Sequence, residues 1–413
     1  MRDIVKRRIF DALTAMRLGA RLPESRLLLA GLPSRLAVAS SAECELIRVL
    51  VAITRATEVD DIDISACVTA GAVVVPVALS LAPVTSGDED LMLAAIVAGY
   101  EAMIRFGRAI DGPNILYQGR WPTYLAAPVG AAAVVATLGR RDARATAQAL
   151  SLALTRTASS LHPSAPRCWQ LGCAAAEGVA AARAAEMGCA VAPDVLARWA
   201  RAAALDLHMD EPPSNASYGI SGVDIKTFPT CRQALAAIDA LRRLLVEAPM
   251  QSLAQIEVRV PAAYRDMIAS PLFPRDRLES LLNVSYQMAL LAVAPERLYD
   301  VTRATLADEP DIRHLMAKTT VISDADLSRY FPSRWGARVR LVRPDASSRE
   351  CEVLSPYGSA ADSPLSWKEL TSKAANLARG SGIDPASFES LAAALQIDEY
   401  PRRDALLAWT CGR

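Results

Sequence analysis

The chain has 413 residues, a length that suits two to three domains. Its 45 Lys and Arg balance 45 Asp and Glu, so nothing in the net charge draws it toward nucleic acid or an anionic membrane surface. The content is 52% apolar and 22% charged, which excludes a disordered chain, and three histidines (His162, His208 and His314) exclude a His-rich metal centre.

The N-terminal MRDIVKRRIF is charged and lacks the apolar run of a secretion signal, so a cytoplasmic protein is expected. The eight cysteines are scattered without a C-x-x-C pair and read as free buried thiols. Ser40 and Glu43 have capping-box spacing ahead of the helical run ELIRVLVAITRAT. Glu58, Asp60, Asp61 and Asp63 then form a tight acidic cluster. Crowded carboxylates raise one another's pKa and suit acid–base work; the alternative is a solvated loop or helix start. The uncharged run 66–84 is nearly long enough to span a bilayer, but its Thr, Gly, Pro and Ser favour a helix buried within a bundle.

Acids at 88–90 open a predicted helix through LMLAAIVAGYEAMIRFGRAI, where they suit the helix dipole. PVGAAAVVATLG and GCAAAEGVAAARAAEMG predict central helices whose Ala and Gly let axes approach closely. DGPN (111–114) and EPPSN (211–215) read as loops. Beyond residue 223 the texture changes. QIEVRV (255–260) and ARVRLVR (337–343) alternate apolar and charged residues, as strands with one wet face do, while RQALAAIDALRRLLVEA and PLSWKELTSKAANLA are helical. The fold expected is mainly α: an all-α domain from 1–222 and 364–413, with an inserted α+β domain at 223–363.

Seven stretches, in order, resemble the MmgE/PrpD family, which includes 2-methylcitrate dehydratase, cis-aconitate decarboxylase and iminodisuccinate epimerase. They are VKRRIFDAL, EVDDI before AGAVVVPVALSLA, GYEAMIRFGRAI, GRWPT before AAPVGAAAVVATLG, KTFPTCRQALAAIDA, NVSYQMAL and PLSWKEL. The resemblance covers nearly the whole chain. It implies an α-helical domain with an α+β lid, a homodimer, an active site between the domains, and chemistry on small polycarboxylates without metal or organic cofactor. Neither a nucleic acid nor a membrane is an expected partner.

The sequence departs from that family at four histidines. Their positions carry Thr69, Trp121, Gln170 and Leu235, and the lysine of K-x-L-H-x-G falls on Arg167. Asp60, Asp61, Lys226, Arg232 and Tyr286 match, and Glu58 stands where members often have Asp. Thr, Trp, Gln and Leu cannot act as bases near neutral pH. Trp121 and Leu235 make the pocket more apolar, so a tricarboxylate would fit poorly.

Residues and resemblance together predict a cofactor-independent lyase, a dehydratase acting on a carboxylate-bearing, partly apolar substrate in specialised metabolism. Asp60, Asp61 or His162 is the candidate base, His162 being five residues before Arg167. Arg167 and Lys226 are candidates for binding the carboxylate and steadying an enolate, because guanidinium grips carboxylate bidentately. Tyr286 is a candidate donor to the departing hydroxyl. Glu58, Thr69, Arg120, Trp121, Gln170, Arg232 and Leu235 are candidate lining residues. The competing readings are a surface lysine for Lys226, an interhelix salt bridge for Arg167, a loop histidine for His162 and a packed tyrosine for Tyr286. His208, His314 and Cys231 read as structural. Decarboxylation, epimerisation and a non-catalytic ligand-binding dimer remain open alternatives.

Overall fold

The computed structural model describes residues 1–38, 42–82, 88–157, 167–209, 217–247, 254–303 and 305–411. The protein is mainly α, with one four-stranded sheet among the described residues. It divides into two compact units, Met1–Val223 with Glu389–Arg413, and Asp224–Phe388.

The first unit runs through α1 (Arg2–Gly19), α2 (Pro23–Val38), α3 (Ala42–Ala56), α4 (Gly71–Leu81), α5 (Glu89–Ala109), α6 (Gly112–Leu116), α7 (Pro122–Leu138), α8 (Ala143–Leu154), α9 (Arg167–Glu186) and α10 (Val195–Ala202). α7 packs against α5 and α9, and α9 packs against α3. Small residues permit this. A Cβ on Gly172 of α9 would lie 2.0 Å from the Arg48 carbonyl oxygen of α3, and one on Gly178 would lie 2.2 Å from that of Pro128 in α7. Helices α4 and α7 are buried almost all round, as their uncharged sequences require.

Two local expectations change. The run from residue 66 does not enter its helix until Gly71, because Asp63 and Val68 pair as an antiparallel bridge. The Asp63 carboxylate closes that turn by accepting from Ser65 Oγ at 2.6 Å and the Ala66 amide at 2.8 Å. DGPN is not simply a loop: Asp111 takes a left-handed φ of 52° and the next residues begin α6. Ser40 and the EPPSN segment lie outside the described residues.

The second unit contains α11 (Arg232–Glu247), β1 (Gln255–Val260), α12 (Ala262–Ile268), α13 (Arg277–Leu282), α14 (Val284–Val293), α15 (Pro310–Ala317), β2 (Thr319–Ser323), α16 (Ala325–Ser328), β3 (Ala337–Val342), β4 (Ser348–Val353) and α17 (Trp367–Gly380). The sheet order is β2-β1-β3-β4, with β1 parallel to β2 and antiparallel to β3. Ile256, Val258 and Val260 of β1 and Ala337, Val339 and Leu341 of β3 are buried, so the alternation read in both segments becomes one dry face. α11 covers it at β3 and β4. Strands β2 and β4 have no counterpart among the sequence expectations. β4, SRECEV, is a charged edge strand with little apolar pattern to betray it.

Ser366 and Glu369 form a full capping box at the start of α17. The sequence assigns that helix to the helical domain, but it packs on the turn Pro295–Tyr299, and Ser381 Oγ accepts from the Val301 amide at 3.1 Å. The return to the first unit therefore comes later than residue 364, within α18 (Ala386–Gln396), and ends in α19 (Arg403–Cys411), which packs on α1 and α4. Of the eight free thiols only Cys67 and Cys231 are buried; Cys189 and Cys411 are exposed, which corrects the reading of all eight as interior. No helix among the described residues is long and apolar enough to cross a membrane.

Candidate functional site

The acidic turn after α3 is fully interior. Glu58, Asp60, Asp61 and Asp63 are all 1–3% exposed, so a solvated loop is excluded. Thr57 holds the turn, donating to the Thr54 carbonyl and accepting from the Val59 amide. Glu58 sits at a left-handed φ of 59°, a strained setting for a side-chain-bearing residue.

Each of the four carboxylates is taken up by cations, amides or hydroxyls, and Glu58 and Asp60 share Arg55. Glu58 bridges two guanidiniums, Arg55 at 2.7 Å and Arg167 at the first position of α9. Asp60 meets Arg55 at 3.3 Å. Asp61 accepts from the Gly71 amide at 2.9 Å and from the Tyr100 hydroxyl at 2.6 Å. Asp63 closes its turn and reaches Arg108 at 3.4 Å. Burial pushes the Asp61 carboxyl up to about 6, with Asp11 adding to the rise and Arg8, Tyr100 and the Gly71 amide opposing it. The expected mutual repulsion within the cluster is therefore not the cause of that shift.

Around Arg167 the first unit assembles several of the anticipated residues. Its guanidinium lies 5.6 Å from the Trp121 ring centroid, and Trp121 is the N-cap residue of α7. The Thr69 amide donates to Thr123 Oγ1 at 3.1 Å. One helical turn past Trp121, Tyr124 packs edge-on to it at 6.1 Å. Several buried polar atoms here have no hydrogen-bond partner among the described residues: Nε of Arg55, Nε of Arg167, the Thr69 hydroxyl and the Tyr124 hydroxyl. Burial drives the Tyr124 pKa up, so this hydroxyl keeps its proton.

Arg55, Tyr100 and Tyr124 were missed by the sequence reading. Arg55 ends a helix whose apolar pattern hides it. Tyr124 had one signal, its spacing of three from Trp121 at a helix start.

Other candidates go elsewhere. Arg120 donates to the Ala203 carbonyl at the end of α10. Gln170 is exposed, on the first turn of α9. His162 lies outside the described residues, and His208 and His314 are exposed.

The second unit holds the remainder. Lys226 is 2% exposed, which corrects the reading of a surface lysine. Arg232 is committed to Asp224, at 2.9 and 3.1 Å, and to the Trp335 carbonyl at 3.4 Å. Leu235 is core on α11, and Cys231 is buried. Tyr286 accepts from the Ala307 amide at 3.0 Å and stacks edge-on with Phe273, the geometry of a packed tyrosine. Arg303, also missed, braces the turn after Lys226 through the Pro229 carbonyl at 3.3 Å, with Gln287 and Ser280 as further partners. Burial lowers its pKa to about 10.

A helical unit with a buried Arg–Glu–Arg group, joined to a unit built on a small mixed sheet, defines a two-domain, α-rich class of protein. Residues 47–209 match the MmgE/PrpD N-terminal domain and residues 228–396 the MmgE/PrpD C-terminal domain. The chain belongs to the MmgE/PrpD family, which includes dehydratases and related lyases. No curated protein matches it. Glu58 to Asp61, Thr69, Trp121, Tyr124 and Arg167 all fall in the first matched stretch; Lys226 lies just ahead of the second.

Proposed function

We propose that the protein is a cofactor-independent lyase that dehydrates a β-hydroxy acid carrying an apolar portion. The observation that carries this is the buried pair Arg55 and Arg167. They share Glu58, and each leaves a desolvated Nε–H without an acceptor among the described residues. Unspent buried donors of this kind cost stability unless an acceptor arrives, and a carboxylate is the acceptor that matches a guanidinium edge. The Trp121 ring beside Arg167 offers apolar surface for the rest of the substrate.

In the proposed reaction a carboxylate base removes the proton alpha to the substrate carboxylate, and the resulting enolate expels the β-hydroxyl, which leaves as water after taking up a proton. Asp60 and Asp61 are the candidate bases. Asp61, at about 6, has the basicity suited to neutral pH, though both its oxygens are occupied by Gly71 and Tyr100. The part given to Lys226, enolate stabilisation, rests on the KTFPTC match alone. The same enolate serves decarboxylation or epimerisation in related acids. A homodimer in the cytoplasm remains part of this proposal.

The test is incorporation of solvent deuterium at the α-carbon of a hydroxy-acid panel, with wild type beside Asp61→Asn and Lys226→Ala. Exchange that disappears in the variants supports the reading. The absence of exchange and turnover across the panel favours a non-catalytic, ligand-binding scaffold, a reading that the replacement of four histidines by Thr69, Trp121, Gln170 and Leu235 supports.

A further inference from the structure

Tyr124 stands apart from the other tyrosines buried in the described residues. Tyr100 donates to Asp61, Tyr264 donates to the Gly336 carbonyl at 2.8 Å, and Tyr286 is held by the Ala307 amide. The Tyr124 hydroxyl is equally desolvated, on a residue only 5% exposed, and has no partner among the described residues. Thr69 repeats the pattern. Its residue is 4% exposed, its amide is spent on Thr123 next to Tyr124, and its hydroxyl likewise has no partner there. The Tyr124 ring is docked against Trp121, which in turn lies on Arg167. The Tyr124 hydroxyl is thus tied through Trp121 to a guanidinium that has an orphan N–H of its own, and the second orphan hydroxyl, Thr69, is anchored by its amide to Thr123, the residue before Tyr124.

A buried hydroxyl without a partner costs about as much as a lost hydrogen bond, and one such group is an accident a fold can carry. Two in one stretch of the first unit, with an arginine Nε–H that also has no acceptor among the described residues, call for a shared explanation. We propose that Tyr124 is a substrate-contacting hydrogen-bond donor which, with the Thr69 hydroxyl, grips a carboxylate oxygen of the ligand paired with Arg167. This rests on the carboxylate-lyase reading above and adds to it the residues that orient the acid. Since Tyr124 stays protonated, its contribution is a hydrogen bond, strongest when charge grows on that oxygen, as in an enolate. It occupies the helix start that Trp121 opens, where the histidine expected at position 121 is absent.

Titration calorimetry of the full chain with two probes tests this: citramalate, a hydroxy dicarboxylate, and 3-hydroxyoctanoate, a monocarboxylate with an apolar tail. The variants are Tyr124→Phe, Thr69→Val and Arg167→Gln, each also melted without ligand. Tyr124→Phe is expected to weaken the better probe by a factor of roughly 10 to 100, while its ligand-free melting temperature is unchanged or raised, because a stranded hydroxyl has been removed. Thr69→Val is expected to act in the same direction. If Arg167→Gln weakens binding and Tyr124→Phe does not, the inference fails and the carboxylate reading stands. If Tyr124→Phe lowers the melting temperature by several degrees, the hydroxyl serves the fold through a partner such as a fixed water, and the inference is overturned. If wild type binds neither probe and exchanges no α-proton, both fall together.

Discussion

Replacing Glu58 by Gln removes one charge and almost no volume, and the structure sets its cost. Glu58, Arg55 and Arg167 are 3%, 5% and 4% exposed. With Asp60 the group has two positive and two negative charges; the substitution leaves one buried positive charge uncompensated. Each Glu58–guanidinium pair is worth about 4 kcal/mol at a charge separation near 4 Å and an effective dielectric of about 20. Gln retains an acceptor oxygen, and the arginines relax, so the whole of this is not lost. Breaking one side of a buried ion pair costs about 3–5 kcal/mol, and the lower end is expected here. Against a typical stability of about 5–15 kcal/mol that is a large fraction. Urea unfolding at neutral pH, followed by circular dichroism, measures it. Glu177→Gln is the control: Glu177 pairs with Arg156 at 2.5 Å, but the side chains are 40% and 50% exposed, and a loss under about 1 kcal/mol is expected. Raising salt should shrink the control's effect and leave the Glu58 effect standing. A Glu58→Gln loss no larger than the control's would refute the assignment of this group as a tightly paired, water-free cluster.

Folded Asp61 keeps its proton up to about pH 6, while an unfolded aspartate releases it near 3.8, so the folded state binds more protons between these values and stability falls as pH rises through that window. Asp61→Asn should flatten this decline, which amounts to roughly 3 kcal/mol at most, and melting curves from pH 3.5 to 7 read it. Gly172→Ala should destabilise the first unit by several kcal/mol, since its Cβ would meet the Arg48 carbonyl carbon and oxygen of α3; thermal melting compared with Gly222→Ala, where nothing lies within 4 Å, isolates the clash. Asn283→Ala should cost about 1–2 kcal/mol in urea, because Asn283 caps α14 through the Tyr286 amide at 3.0 Å and also donates to the Leu272 carbonyl at 2.8 Å.

Local periodicity carried much of the fold. The helix through 89–109 and strands β1 and β3 follow from apolar spacings that any chain of that pattern must bury. β4 did not, since only Val353 of its six residues is buried and its charged residues leave no apolar alternation to read, and α17 falls in the other unit because a helix's own pattern does not name its neighbour. The site divides in the same way. The acidic turn could be read as a candidate because its four acids crowd a six-residue span. Its electrostatics could not, because the charges that matter to it, Arg55 and Arg167, come from two helices whose ends meet only in the folded unit.

From its sequence alone the protein's mainly α class, its family and the residue types available for chemistry were determined. Those depend on composition, spacing and order along the chain. Tertiary structure alone decided which acids pair and which hydroxyls have no partner among the described residues. Glu58 and Arg167 are 109 residues apart, and their contact exists because the small residues of α9 let it lie close against α3 and α7. The same packing shuts water away from Thr69 and Tyr124, and burial without a partner is a property of the surrounding helices that no residue carries in its name.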